Sequence, residues 1–296
     1  MRSPLGIAVA LLLLSWAVPA QNAPARGTWS TAWTHSPQEV DDWAAQTLAD
    51  PESDVGWNRS CGEPWGPGRA SYCVVRELPV DRIGSPIAID GGDNGGMTVI
   101  GWDRNEVRAL YRVVARARTK ERARELAEAV RIERSRGKFL PNGPTTSDRE
   151  YWATDVRMWV PRSSDLSLRV LNGPLAIEDV HGTMAVEAIT GPVSLVNLGG
   201  AVEARVRTGP LYVALSGTRW DGAGIDAVAE SGPVTIVLPR DYSARLETGT
   251  ISGTSNIRYP LQTRSTRGGR IVTALGSGGP PVRVVTDSGP FTMVGR

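Results

Sequence analysis

Alternating apolar and polar residues form a repeated unit between Leu166 and about Ile257. Each copy is centred on a glycine, and successive glycines are 18, 18, 23 and 17 residues apart. Apolar residues stand three, five and seven positions before each glycine, as Val206, Ala204 and Val202 do before Gly209. Side chains two apart on a strand share a face, so each copy predicts two short half-buried strands joined at a corner. The predicted corner positions are Gly173, Gly191, Gly209, Gly232 and Gly249.

One copy cannot bury its own apolar face, whereas stacked copies bury a continuous one. The spacing therefore predicts a mainly β protein whose copies form a right-handed parallel β-solenoid. The alternative is an antiparallel β-sandwich, because turns every eight to twelve residues are also typical of that fold.

Two further columns predict contacts between neighbouring copies. The residue before each corner glycine is small and polar, which suits hydrogen bonds at a corner; this column contains Asn172, Thr190, Thr208, Ser231 and Thr248. An outward column contains Arg169, Glu187 and Arg205, whose charges alternate if the copies stack about 4.8 Å apart.

The region from residue 74 to residue 164 predicts strands and one helix that lead into the repeats. Its predicted strands are Val74–Val80, Ile83–Asp90, a short strand between two turns within Asn94–Arg104, Val107–Arg118 and Tyr151–Val160. Gly137–Arg149 is predicted as a loop. Thr119 is the expected N-cap of an amphipathic helix that ends near Val130 and packs near the N-terminal end of the β domain.

Two features interrupt or follow the regular copies. The third interval is five residues longer than 18 because of an insertion around Gly217 to Gly224, and insertions in solenoids often lie on a binding face. Trp220 and Asp221 are therefore the predicted binding residues, although Trp220 could equally pack against the stack. Residues 259–296 predict a polar linker and a C-terminal copy that closes the stack, with Val282, Val284, Phe291 and Met293 pointing inward.

The N-terminal part differs from the rest of the chain. Met1–Ala20 has the positive start, apolar stretch and small-residue cleavage site of an export signal, and no later stretch is long enough for a transmembrane anchor. Residues 21–73 predict an irregular segment rich in tryptophan, which could form a carbohydrate or partner surface or pack on the folded body. In an exported chain, the two cysteines Cys61 and Cys73 predict a disulfide.

The charge balance and the types of reactive side chain argue against several classes of function. Lys and Arg total 33 against 31 Asp and Glu, so the sequence gives no case for a nucleic-acid partner. The two histidines, His35 and His181, have no partners for a catalytic triad or a metal cluster, and no cofactor is predicted. A polysaccharide-acting enzyme would need paired carboxylates, for which the candidates are Glu178, Asp179, Asp221 and Asp226. Glu178 and Asp179 adjoin in sequence and are expected to point to opposite faces.

Several motifs resemble the bacterial putative-adhesin family of β-strand-repeat proteins known as domain of unknown function 4097. They comprise Asn94–Gly96, Gly101–Arg104 with Val107, the helix rich in Ala, Glu and Arg, Val160–Arg162 with Asp165–Leu166, Asn172–Gly173, the Trp220 insertion, and Leu238–Pro239 with Tyr242 and Ala244. The resemblance covers roughly Val74 to Tyr259, and it implies an exported β-solenoid with an adhesive role. The chain departs from the family by its Gly-Pro corners and by Thr or Ser where the family has Asn.

These observations predict an exported, non-catalytic cell-envelope or surface protein that acts as an adhesin or scaffold. Its expected partner is an unidentified surface ligand, either a glycan or a protein, met in the periplasm, on the outer surface or outside the cell. A polysaccharide-acting β-helix enzyme and a periplasmic sensory or assembly partner are the alternatives.

Overall fold

The structure is a computed structural model that describes residues 70–78, 86–135, 138–147, 149–261 and 265–296. The predicted export signal, most of the tryptophan-rich segment and Cys61 lie outside the described residues. The disulfide therefore stays a prediction, with Cys73 half-buried on the first described strand. The boundaries at residues 20, 73, 164 and 258 also remain predictions.

The first eight strands and one helix comprise the region before the repeats and the first repeat strand. They are β1 (Ala70–Glu77), β2 (Ile87–Asp90), β3 (Met97–Trp102), β4 (Arg108–Ala117), α1 (Lys120–Ala129), β5 (Arg131–Ser135), β6 (Lys138–Asn142), β7 (Tyr151–Pro161) and β8 (Leu166–Asn172). The predicted cap is confirmed, because the Thr119 side chain accepts a hydrogen bond from the backbone N–H of Arg122. The apolar side of α1, formed by Ala123, Leu126 and Ala127, is buried against β1 and β4.

Thirteen further strands complete the described chain. They are β9 (Leu175–Glu178), β10 (His181–Thr190), β11 (Val193–Val196), β12 (Gly199–Thr208), β13 (Leu211–Ala214), β14 (Gly224–Ser231), β15 (Val234–Leu238), β16 (Ala244–Ser252), β17 (Ser255–Arg258), β18 (Ser265–Arg267), β19 (Arg270–Leu275), β20 (Pro281–Ser288) and β21 (Phe291–Gly295). The prediction of a loop over Gly137–Arg149 is wrong in part, because β6 occupies its start. Phe139 is the one buried side chain of β6. A single buried residue gives no alternation of apolar and polar positions, so the sequence did not indicate a strand here.

The strands form two large mixed sheets. Sheet A has ten strands in the order β1-β4-β7-β3-β9-β11-β13-β15-β21-β17, and sheet B has eleven in the order β18-β19-β16-β20-β14-β12-β10-β8-β2-β6-β5. Repeat strands pair in parallel: β8, β10, β12 and β14 in sheet B and β9, β11, β13 and β15 in sheet A. Antiparallel pairs occur toward the sheet ends, as in β1–β4–β7 and β16–β19–β18.

The predicted inward columns are confirmed by burial. Leu168, Val186, Ala204 and Ala227 lie side by side in adjacent strands, and all are buried in one hydrophobic core that contains side chains of both sheets. Burial of such aliphatic side chains is worth roughly 1.5–3 kcal/mol for each large one, so this core is the main source of stability.

The corners stack through the backbone. The N–H groups of Gly173, Gly191 and Gly209 donate to the carbonyl oxygens of Thr190, Thr208 and Ser231 in the next copy, at 2.9, 3.0 and 2.9 Å. The small residue before each glycine therefore contributes its carbonyl group to the ladder. A side-chain bond in this column comes from Asn172, whose amide donates to the Asp93 carbonyl oxygen at 2.7 Å.

The position of the C-terminal copy in the stack differs from the predicted one. It does not close the stack, because β20 lies between β14 and β16 and β21 lies between β15 and β17. Its register aligns Ser288 with both Ser231 and Ser252. The corner of the fifth copy is therefore Gly253, whereas the predicted corner Gly249 lies inside β16 opposite Val285.

Ion pairs cross the outer face of sheet B. The predicted contact between Arg169 and Glu187 is present at 3.3 Å, and Arg169 also contacts Asp90 at 3.2 Å. Further along the sheet, Arg283 bridges Asp226 at 2.6 Å and Glu247 at 3.2 Å. Burial raises the pKa of Asp226, but hydrogen bonds from Arg283 and Arg205 outweigh this effect and hold the pKa below its usual value.

Replacing Arg283 with Met should lower the free energy of unfolding at pH 7 by about 0.5–1 kcal/mol, because the bridge is only partly buried. The lowered pKa of Asp226 means that this stabilisation is present above the unfolded-state pKa near 4 and is lost as the pH falls through the folded-state value. Urea unfolding of both proteins at pH 7 and pH 3 measures the difference. If the two proteins differed in unfolding free energy as much at pH 3 as at pH 7, the difference could not be assigned to this ion pair.

Candidate functional site

A groove of about 700 Å³ lies on the outer face of sheet A. It forms where β3, β7 and β9 end, since these strands are parallel and their C-terminal ends meet at one edge of the sheet. Its lining residues are Ile100, Gly101, Trp102, Asp103, Arg104, Arg108, Trp159, Arg162, Glu178 and Asp179. The strand alternation explains the lining, because Val99, Met158 and Ile177 point into the core while their neighbours point to the groove.

Two tryptophans and two arginines form one wall of the groove. The rings of Trp102 and Trp159 are 6.4 Å apart between centroids and tilted by 32°. The guanidinium of Arg104 lies 4.8 Å from the Trp102 ring centroid, and that of Arg108 lies 5.3 Å from the Trp159 centroid. These are cation–π contacts, which hold both planar groups in place.

The two indole N–H groups differ in their hydrogen bonding. Trp102 donates to the Glu106 carbonyl oxygen at 2.8 Å. Trp159 is only 1% exposed, and its Nε1 has no hydrogen-bond acceptor among the described residues. An unsatisfied buried donor costs roughly 1–3 kcal/mol, and this nitrogen is itself closed off from solvent, so the N–H is not offered to the groove.

Arg162 organises the acidic wall. Its Nε lies 2.7 Å from an Asp103 carboxylate oxygen, and its Nη1 lies 3.0 Å from an Asp179 carboxylate oxygen. The hydrogen bond from Arg162 lowers the pKa of Asp103, so this carboxylate stays ionised at neutral pH. Asp179 has a backbone φ of 58°, and its side chain accepts a hydrogen bond from Asn197, which in turn accepts one from Ser216. This chain of polar contacts fixes Asp179 against the following repeats.

Glu178 has a different environment from these aspartates. Burial raises the pKa of its carboxyl group, and the neighbouring charge of Asp179 adds to the rise while Arg162 offsets part of it. The groove therefore contains an ionised carboxylate at Asp103, arginines and one carboxyl group, Glu178, that takes up a proton more readily. Such a set can accept and donate several hydrogen bonds to a polar ligand beside an aromatic wall.

Trp220 packs against the stack, which is the alternative that the sequence left open beside a binding role. It is 2% exposed, and its indole donates to the Gly200 carbonyl oxygen at 2.9 Å. The insertion folds this large ring into the core, where its apolar surface is removed from water. Asp221 is exposed, lies 3.5 Å from His181 Nδ1, and is separate from the groove lining.

Of the other predicted residues, some line the groove and others lie in the two sheets outside it. Glu178 and Asp179 both line the groove, contrary to the expectation that they point to opposite faces, because the left-handed backbone at Asp179 ends the strand alternation. Asp226 lies on sheet B in the ion pairs described above. The glycines Gly173, Gly191, Gly209 and Gly232 lie between the two strands of their copies, with φ between 136° and 151°.

Sequence reasoning missed Trp102, Trp159 and Arg162 as a site. The available signal was that motifs at the ends of two strands, Gly101–Arg104 and Trp159–Arg162, carry aromatic and charged residues together. Neither motif shows that β3 and β7 are neighbours, because a helix and three other strands separate them along the chain.

The described residues contain no group of three or more His, Cys, Asp or Glu side chains arranged to hold a metal ion. Within the same residues, no helix has the length and apolar character needed to span a membrane.

No protein-family model and no curated protein matches this chain. Among solved structures, a putative cell adhesion protein from Clostridium sporogenes matches 76% of this chain and 100% of its own, with 8% identity and a TM-score of 0.38. A putative adhesin from Bacteroides fragilis matches 76% of this chain and 97% of its own, with 9% identity and a TM-score of 0.29. A putative lipid binding protein from Parabacteroides distasonis matches 75% and 96%, with 12% identity and a TM-score of 0.26. Similarity at this level leaves the function to be inferred from the chain's own residues.

Proposed function

We propose that the protein is an exported, non-catalytic cell-envelope or surface protein that binds an extracellular ligand, with adhesion or scaffold binding as its function. The observation that carries this proposal is the groove, which brings two tryptophans, three arginines and three carboxylates together at one sheet edge. The predicted export signal supports an extracytoplasmic location. Membership of the domain of unknown function 4097 family and a right-handed solenoid winding of the parallel repeats belong to the same proposal.

A glycan is the ligand class that fits the groove best. Sugar rings present apolar C–H faces and closely spaced hydroxyl groups that both donate and accept hydrogen bonds. Trp102 is partly exposed and offers an amphipathic aromatic side chain to the apolar face of a sugar ring. The Arg162 pairs with Asp103 and Asp179 place donors and acceptors side by side, which suits neighbouring hydroxyl groups.

Trp102→Ala and Arg162→Gln should each weaken glycan binding at least tenfold, or about 1.4 kcal/mol, because they remove the aromatic wall or the group that holds both aspartates. The mature chain is first screened on a glycan array, and the Kd of a bound glycan is then measured by calorimetry. Arg207→Gln is the matched control, since Arg207 forms an exposed ion pair with Glu230 on sheet B. The proposal fails if no glycan binds, or if both groove variants bind as tightly as this control.

One observation favours a polysaccharide-acting enzyme as the second candidate. Glu178 has a raised pKa in a groove that also holds the ionised carboxylate of Asp103, and a general acid needs a carboxyl group that keeps its proton. Incubating the array-selected glycans with the protein and analysing their length by mass spectrometry distinguishes the two functions. Shortened products that disappear in Glu178→Gln would establish the enzyme, and intact glycans would support the binding protein.

A further inference from the structure

One carboxyl group of the groove has no partner of its own. Glu178 is half-buried at the end of β9, and within the described residues its carboxylate forms neither a hydrogen bond nor an ion pair. The two aspartates of the groove differ in this respect, because Asp103 and Asp179 contact Arg162 at 2.7 and 3.0 Å. The guanidinium of Arg162 therefore holds the aspartates and leaves Glu178 unpaired.

The side chains beside Glu178 in the sheet are apolar. The strand register places Ile100 of β3 on one side of it and Val196 of β11 on the other. Trp159 of β7 follows Ile100 in the same row across the sheet. Neither Ile100 nor Val196 can form a hydrogen bond, so solvent in the groove is the main stabiliser of an ionised Glu178.

The charged groups around Glu178 are few and mostly engaged with one another. Those that line the groove with it are Asp103 and Arg104 from the turn after β3, Arg108 from β4, Arg162 from the end of β7, and the adjacent Asp179. The neighbouring strand β11 contributes no charged group. Burial is the largest cause of the raised pKa of Glu178, the charge of Asp179 adds to the rise, and Arg162 offsets part of it.

A ligand in the groove would strengthen the effect of burial. A sugar ring over Ile100 and Glu178 excludes solvent from the carboxyl group, and exclusion of solvent favours its neutral form. The pKa of Glu178 is then higher in the complex than in the free protein, so the protein takes up a proton as it binds. By linkage, the affinity is lowest at a pH above both pKa values and highest below both.

We propose that the groove binds its glycan together with one proton on Glu178, so that binding tightens as the surroundings become mildly acidic. The inference rests on the proposed function, because it concerns the same groove and the same ligand class. The neutral carboxyl group can lie against the apolar face of a sugar ring or donate one hydrogen bond to a hydroxyl group. Asp103 and Asp179 remain paired with Arg162 and accept hydrogen bonds beside it.

The pH dependence of the Kd tests the proposal. The probe is the neutral oligosaccharide that binds most tightly on the glycan array, since a neutral probe has no titrating group. Its Kd for the native mature chain, measured by calorimetry, should fall about three- to tenfold between pH 7 and pH 5, because a tenfold change corresponds to a pKa that rises by about one on binding. Calorimetry in two buffers with different heats of ionisation should show a net uptake of protons.

Glu178→Gln distinguishes the proton from a purely structural role of this side chain. Glutamine has the shape of the protonated acid and is neutral at every pH. This variant should therefore bind the probe at pH 7 about as tightly as the native protein binds it at pH 5, without proton uptake. Glu230→Gln is the matched control, because Glu230 is an exposed carboxylate that pairs with Arg207 on sheet B, and it should keep the native pH profile.

Three outcomes would overturn the proposal. An equal Kd for the native protein at pH 5 and pH 7 would mean that no proton is bound with the probe, and the proposed binding function would stand. A pH dependence that persists in a folded Glu178→Gln protein would assign the proton to another group. If no neutral oligosaccharide binds at either pH, this inference falls, and the proposed function falls with it only if charged glycans also fail to bind.

Discussion

Val206→Asp is expected to abolish soluble folding. Val206 is 1% exposed in the core of β12, and its register partners in the adjacent strands are Ala188 and Ala229. Neither neighbour can donate a hydrogen bond from its side chain or carry a compensating charge. An unpaired buried carboxylate costs several kcal/mol, and a domain is typically stable by only about 5–15 kcal/mol in total.

Soluble yield and thermal unfolding by circular dichroism measure the effect. Arg207→Ser is the control, because Arg207 is the next residue, points to the exposed face and should change the free energy of unfolding by no more than about 0.5 kcal/mol. A soluble Val206→Asp protein that melts with the Arg207→Ser control would be incompatible with the inward position of Val206.

The inward columns were predictable because they depend on local alternation. Strand side chains alternate with a period of two, so Leu168, Val186 and Ala204 identify the buried face from sequence alone. The 18-residue interval then places these residues side by side when copies stack, and the parallel register confirms this. Nothing beyond neighbouring residues and a repeated length is needed for this part of the fold.

The order of the stack was not predictable from the same pattern. The C-terminal copy has the corner and the inward residues of any other copy, so its sequence fits equally well at the end of the stack or inside it. Its place between β14 and β16 depends on β19, which pairs antiparallel with β16 on the other side. This long-range pairing occupies the edge at which a closing copy would otherwise stack.

The groove depends on contacts that no local pattern contains. Trp102 and Trp159 are 57 positions apart in the chain and become neighbours only when β3 pairs with β7. Trp220 presents the opposite case, because an aromatic residue in an inserted loop suggests a binding surface until the structure shows that its ring is buried. Sequence alone gives the residue types at such positions, and the pairing of distant strands decides what each side chain contacts.

The corner glycines depend on the same stacking, and Gly209→Ala is expected to destabilise the protein by at least about 3 kcal/mol. Gly209 has a φ of +143°, which costs a residue with a Cβ atom roughly 1–3 kcal/mol. An added Cβ would also lie 2.2 Å from the Gly191 carbonyl oxygen, a backbone atom of the adjacent copy. Relieving that clash requires the two corners to separate, which strains the bond from the Gly191 N–H to the Thr208 carbonyl oxygen.

Gly279→Ala is the control that separates backbone strain from the clash at Gly209. Gly279 has a φ of +144°, almost that of Gly209, but an added Cβ there has its nearest heavy atom at 3.5 Å, an ordinary van der Waals contact. We expect it to lose about 1–3 kcal/mol from backbone strain. We expect Gly209→Ala to melt several degrees lower than this control, since 1 kcal/mol corresponds to roughly 2–4 °C for a domain of this size. Differential scanning calorimetry of the three proteins measures the gap. Equal melting temperatures for the two variants would mean that adjacent corners are not in contact, because only their contact makes the cost at Gly209 larger.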